Sequence, residues 1–207
     1  MKYKNIILDL AGVVLNLDLE RDSRALNAVG LPPFPRFPDY PEMSVPAMKY
    51  LNGLMPVDEF LVRVKPFCKP GTTDEQLLWA MDAVLDIIPK ERFDFLIGLH
   101  NIYNVYLLSN IYESAWQYVL GLFRDSGHTL DECFHKVFLS YELGLAKPDH
   151  SIFQTVIDHT GIIPEETLFL DDGKANVDSA AQMGFHAVLV PNNKLEETLS
   201  GIISCNQ

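Results

Sequence analysis

Five short apolar runs punctuate the 207-residue chain: Asn5 to Leu10, Val105 to Leu108, Val137 to Ser140, Thr167 to Leu170 and Ala187 to Val190. None alternates cleanly between polar and apolar positions, the look of parallel strands covered on both faces. Helical spacing fills the later gaps, at Glu113 to Phe123, His150 to His159 and Ala175 to Met183. From residue 100 onward, strands and helices therefore alternate. That order predicts an α/β fold, with an open, Rossmann-like parallel sheet.

The stretch between the first two runs behaves differently, showing helical periodicity and no convincing strand. Leu77, Leu78, Met81, Val84, Leu85 and Ile88 recur at helical spacing, and Pro89 ends one helix and can open the next. Thr72 with Glu75 suits a capping box for the first of them. The segment "GLPPFPRFPDYPEMSVPAMKY" holds six of the thirteen prolines and reads as a stiff aromatic loop. These features predict a core of residues 1–16 and 100–207, with residues 17–99 inserted as an all-helical cap. The tail after Leu195 reads as a last short helix. Trp79 and Trp116 fall in helical patterns and are expected to pack in core or cap.

Composition narrows the function. Apolar residues make up 48% of the chain and aromatics 11%, as in an ordinary soluble globule. Cys68, Cys133 and Cys205 have no close pairing and suggest a reducing compartment. No leader-like start and no run of 18 apolar residues are present, so the expectation is a cytoplasmic protein without a membrane partner. A formal charge of −12 argues against nucleic acid, although one local lysine can still hold a small anion. The six histidines show no metal-like spacing. A monomer and a homodimer both remain open.

Open parallel sheets place ligand sites at the carboxyl ends of their strands. Asp9 follows the first run, Ser109 and Asn110 the second, and Asp171 with Asp172 the fourth, while Lys147 precedes the helix opening near His150. Three carboxylates, a hydroxyl, an amide and an ammonium near one point suit a divalent cation and a phosphoryl group. Mg2+ prefers oxygen, so Asp9 with one or both of Asp171 and Asp172 forms a sensible ligand set. Asp9 could attack phosphorus to give an aspartyl-phosphate, Lys147 would neutralise nucleophile and phosphate together, and Ser109 and Asn110 would donate to phosphoryl oxygens. Gly12 would permit a sharp exit from the first strand, and Asn176 would brace the acidic loop. Asp149 would cap the helix after Pro148.

In sequence order, "DLAGV" from Asp9, "YLLSN" ending at Ser109 and Asn110, "GLAKPD" with Lys147 and "LFLDDGKANVDSA" with Asp171, Asp172 and Asn176 span nearly the whole chain. The set resembles the haloacid dehalogenase-like hydrolase superfamily, in the branch with a helical cap after the first strand. Within it, the chain looks similar to glucose-1-phosphatase-like sugar phosphatases. The resemblance implies a magnesium-dependent phosphatase for a small phosphorylated metabolite such as a sugar phosphate, with a cap that selects the substrate.

One position departs from that pattern. Most phosphatases of this family carry a second aspartate where this chain has Ala11, and that group protonates the leaving alcohol and then activates water. The backbone carbonyl of Ala11 can still bind metal, because that contact needs no side chain. Three readings follow: a phosphatase served by a good leaving group, or by Asn16, Asp18 or a bound water; a phosphate and metal binder that has lost turnover; or an enzyme resembling phosphonoacetaldehyde hydrolase. The last would need Lys49, Lys65 or Lys69 of the cap as a Schiff base. A dehalogenase is disfavoured by the retained acidic pair.

Overall fold

The computed structural model describes residues 2–33, 36 and 39–204. Five parallel strands, β1 (Asn5–Leu8), β2 (Asn104–Ser109), β3 (Lys136–Leu139), β4 (Thr167–Asp171) and β5 (His186–Leu189), form one sheet in the order β3-β2-β1-β4-β5. Strand β1 is the centre, with Ile6 in register with Val105 on one side and Leu168 on the other. All five expected strands are present within a residue or two. The chain builds outward from β1 to one edge, returns, and continues on the other side beyond β4. The sheet's switch point therefore lies between β1 and β4, where open α/β sheets leave a crevice.

Alternation along each strand sends side chains to two layers. Ile7, Tyr106, Leu108 and Phe169 pack with Ile152, Phe153 and Val156 of α9 (His150–Thr160) and with Ala180 of α10 (Lys174–Gln182). On the opposite face, Ile6, Leu8, Val105, Leu107 and Leu168 share one apolar cluster with Leu96 and Leu99 of α5 (Lys90–His100), Val119 and Phe123 of α6 (Glu113–Ser126), and Leu195 and Leu199 of α11 (Leu195–Ser204). Two short helices, α7 (Leu130–Cys133) and α8 (Ser140–Leu143), flank β3. Among the described residues, no helix is long and apolar enough to cross a membrane.

Four helices make the cap: α1 (Leu19–Val29), α2 (Pro41–Leu51), α3 (Val57–Val64) and α4 (Asp74–Asp82). Helix α4 stops at Asp82 although the apolar period runs on to Ile88, because residues 84–87 instead pair with the chain entering the cap. Asp18 N–H donates to Val84 O at 2.9 Å, Asp86 N–H to Asn16 O at 3.0 Å and Asn16 N–H to Ile87 O at 3.0 Å. The capping box is one residue later than expected. Thr73 Oγ1 accepts from Gln76 N–H and Gln76 Oε1 from Thr73 N–H.

The proline-rich stretch is not all loop. Its second half is α2, with Pro41 at a helical start that needs no N–H and Met43, Ala47 and Tyr50 buried on one face. Phe34, Pro35, Phe37 and Pro38 lie outside the described residues, as does Cys205. Trp116 is buried, whereas Trp79 is 58% exposed and contributes little to any core.

Arg92 of α5 joins three parts of the fold. It is 3% exposed, its Nη1 donates to Val14 O at 3.0 Å and Asn16 Oδ1 at 2.8 Å, and its Nε and Nη2 grip both oxygens of Glu196 on α11 at 2.6 and 3.0 Å. Removing it strands a buried carbonyl and a partly buried carboxylate. Arg92→Ala is expected to lower unfolding free energy by about 3 kcal/mol. Urea denaturation checks this as a lower midpoint with an unchanged slope.

Candidate active site

The carboxyl ends of β1, β2 and β4 meet at one point. Strand β1 delivers Asp9, whose N–H donates to Leu170 O at 2.9 Å, and the chain then turns tightly, with Gly12 N–H bonded to Leu15 O at 2.8 Å and Leu15 N–H to Leu10 O at 2.7 Å. Gly12 has φ +82°, and a Cβ there would stand 2.5 Å from Asp172 Oδ2 and 2.7 Å from Asn192 Oδ1. Both facts demand glycine. Ala11 sits on this turn and lines the cavity above it.

Lys147 enters from the loop after α8, and its peptide bond to Pro148 is cis. Its ammonium is 2.7 Å from Asp9 Oδ1, 2.6 Å from Asp171 Oδ2 and 2.9 Å from Leu108 O. Three protons thus meet three acceptors. The residue is 2% exposed. Burial pulls the Lys147 pKa down, but the paired Asp171 and Asp9 charges outweigh it and the net shift is upward.

Asp171 is also bound at its second oxygen, which accepts from Gly173 N–H at 2.7 Å and Asn176 Nδ2 at 2.9 Å. Asp9, Asp171 and Asp172 each offer an oxygen within 4.8 Å of the others. One ammonium cannot balance three carboxylates. Burial, with Asp171 and Asp172 adding to it against Lys147, pushes the Asp9 carboxyl up to about 7, and burial plus Asp171 pushes Asp172 up to about 6. The donor set is all oxygen, crowded and short of positive charge, and a hard divalent cation such as magnesium fits it.

Ser109 Oγ is sealed in and, among the described residues, bonds to nothing. A buried hydroxyl without a partner suits an incoming anion, but it does not line the cavity, unlike Asn110. Asn110 is committed to the scaffold. Its Oδ1 accepts from Lys147 N–H at 2.9 Å, and its Nδ2 donates to Lys147 O at 2.8 Å and reaches Asn52 Oδ1 of the cap at 3.3 Å. Ser140, which sequence reasoning passed over, locks the next residue by accepting from Ile111 N–H at 2.8 Å and donating to Ile111 O at 3.1 Å.

Above these groups lies a cavity of about 750 Å³, floored by Asp9, Ala11, Lys147 and Asp172 and roofed by the cap. The roof is docked through Asn52, through Tyr112 Oη donating to Asp82 Oδ1 at 2.5 Å, and through Gly53, where a Cβ would come within 2.3 Å of Ile111 O. The groups suggested as replacements for the absent acid are engaged elsewhere. Asn16 Oδ1 accepts from Arg92, and Asp18 Oδ1 caps α1 by accepting from Arg21 N–H at 2.8 Å. Asp149 occupies the cap position of α9 without a side-chain hydrogen bond.

Neither Lys49, Lys65 nor Lys69 lines the cavity. Lys65 pairs with Asp74, and Lys69 donates to Asn27 O and Ala28 O at 2.9 and 3.1 Å. The phosphonoacetaldehyde reading loses its Schiff base.

Residues 3–184 match the haloacid dehalogenase-like hydrolase family, and the chain belongs to that family. It is 30% identical over 184 residues to a D-ribitol-5-phosphate phosphatase of Bacteroides thetaiotaomicron, covering 88% of this chain and 89% of the relative. It is similar to the family enzyme bt-2542 of the same organism in complex with magnesium and inorganic phosphate, with a TM-score of 0.78, 31% identity and 92% and 96% of the two chains covered. A HAD-like family hydrolase of Porphyromonas gingivalis has a TM-score of 0.78, 32% identity and 98% coverage of both chains.

Because the folded-state pKa values of Asp9 and Asp172 lie above ordinary carboxylate values, proton binding favours the folded chain. The stability they contribute is present near pH 4 and lost as pH rises through about 6 and 7. Magnesium competes for the same oxygens, so it should raise the thermal midpoint near pH 8, by an amount that grows with concentration and shrinks below about pH 6. Asp172→Asn should weaken this response. Melting curves with and without magnesium check both expectations.

Proposed function

We propose that the chain is a magnesium-dependent phosphomonoesterase for a small phosphorylated metabolite, working through an aspartyl-phosphate on Asp9. The observation that carries this is the Asp9 carboxylate, buried against Lys147 and the Asp171/Asp172 pair yet opening on a cavity large enough for a metabolite. Support comes from the Bacteroides relatives, one a D-ribitol-5-phosphate phosphatase and one bound to magnesium and phosphate. They favour a sugar or polyol phosphate, a class that includes the glucose-1-phosphatase-like expectation. The division into a core of residues 1–16 and 100–207 and a cap of 17–99 is part of the proposal, α5 being the portion that packs on β2 and α7.

In this scheme an Asp9 oxygen forms a bond to phosphorus as the ester oxygen leaves with its electron pair and takes up a proton from solvent water. Water then attacks the same phosphorus, gives up a proton to solvent as the bond from phosphorus to the Asp9 oxygen breaks, and leaves inorganic phosphate and the free carboxylate. Lys147 favours the ionised form of Asp9 against its burial and orients it, and Asn110 fixes the backbone that carries Lys147. A magnesium ion held by Asp9, the Ala11 carbonyl and Asp171 or Asp172 would offset the phosphoryl charge. Asn176 and Gly12 act as supports, through Asp171 and through the close approach to Asp172. Ser109 would donate to a phosphoryl oxygen once the site opens to it.

Ala11 supplies no proton, so esters with a good leaving group, such as an anomeric phosphate, suit the site best. General acid–base help is worth about 10² to 10⁴ in rate. Asp9→Asn should abolish phosphate release across a panel of sugar and polyol phosphates. Ala11→Asp should raise kcat on alkyl phosphates by about 10²-fold or more and leave an activated aryl phosphate little changed. Phosphate-ligand binding without release from any ester would instead favour the binder.

A further inference from the structure

The cap contributes one carboxylate to the cavity. Asp22 lies in the first turn of α1, is 6% exposed and lines the cavity, yet no hydrogen bond or ion pair reaches its side chain among the described residues. The neighbouring cation is spent elsewhere. Arg21 Nε donates to Ala83 O at 2.7 Å, its Nη2 to Leu85 O, and its guanidinium stands 3.7 Å from Asp86. Tyr112, which also lines the cavity, donates its hydroxyl proton to Asp82.

A nearly buried carboxylate without a partner is costly, and burial pushes Asp22 up to about 6. Its place in the first turn of α1 favours a negative charge there, but no group among the described residues pairs with it. The cap's share of the cavity lining is mainly apolar, with Leu26, Met81 and Leu85 among it, beside Ser23 and Asn52. An unpartnered carboxylate in a largely apolar cap wall is what a ligand with hydrogen-bond donors would satisfy, and it repels any ligand with a second anionic group.

We propose that Asp22 is the cap's specificity-determining residue, accepting hydrogen bonds from hydroxyl groups of a singly phosphorylated, otherwise uncharged polyol or sugar whose phosphate lies over Asp9. The proposal rests on the phosphatase reading and names its substrate class. A carboxylate with two oxygens can receive both hydroxyls of a diol, and loss of either pairing leaves a charged group desolvated and unmatched. Selection for hydroxyls and against second anions thus has one source.

The test uses the full chain with magnesium, and compares D-ribitol 5-phosphate, n-pentyl phosphate and a sugar bisphosphate. The wild type should prefer the polyol ester over both. Asp22→Asn, which keeps one acceptor, should lower kcat/KM for the polyol by about tenfold and Asp22→Leu by about 100-fold. Pentyl phosphate should improve in the leucine variant, so that the preference collapses. Both variants should melt at or above the wild-type temperature, because an unpartnered buried charge has been removed.

An unchanged polyol-to-pentyl ratio, a wild-type preference for pentyl phosphate, or lower melting with no change in selectivity overturns the proposal. If the wild type hydrolyses nothing, the phosphatase reading fails and Asp22 is judged by binding. Calorimetry of D-ribitol 5-phosphate on Asp9→Asn, with and without Asp22→Leu, should then show an affinity loss of about 100-fold, and equal affinities would overturn it.

Discussion

One ammonium, held by carboxylates from two strands and a carbonyl from a third, fixes the site-bearing end of this molecule. Lys147 Nζ touches Asp9 at the end of β1, Asp171 at the end of β4 and Leu108 O near the end of β2. Desolvating a lysine and two acids is tolerable only where each proton finds an acceptor and each acid a donor. That condition sets the register in which the three strand ends must stop. An arginine would place a planar fork where three converging donors are needed.

The same interaction explains why the site asks for more positive charge. Lys147 has no proton left over, and Asp171 is fully engaged with Gly173 and Asn176 as well. The free capacity lies on Asp9 and Asp172, on the cavity side, with the Gly12 turn pressed against Asp172. Charge deficit and open volume coincide there. Asn110 and Ser140 hold the surrounding backbone in place.

Much of this was legible in the chain. Strands buried on both faces are short apolar runs, and their polar ends marked Asp9, Ser109, Asn110, Asp171 and Asp172 before any coordinates. The cap was legible as helical spacing but its details were not. Val84, Leu85 and Ile88 keep a helical period, yet Leu85 bridges Leu17 on the paired linker, an arrangement that only tertiary contact decides. Thr72 and Thr73 are equally good caps on paper. Asp22, amid the charges of "LERDSR", reads as solvated surface; its burial depends on where α1 meets α4 and the core, which no local pattern encodes.

The place of β1 at the middle of the sheet carries a cost in assembly. Its partners are β2, roughly a hundred residues downstream, and β4, farther still, so no pairing it makes is local. Units later in the chain, such as β2–α6–β3, can form from nearby sequence, whereas β1 must wait for the whole inserted segment to bring its ends together. Strand β1 is thus an unpaired apolar segment that is made before either of its partners and is seated late.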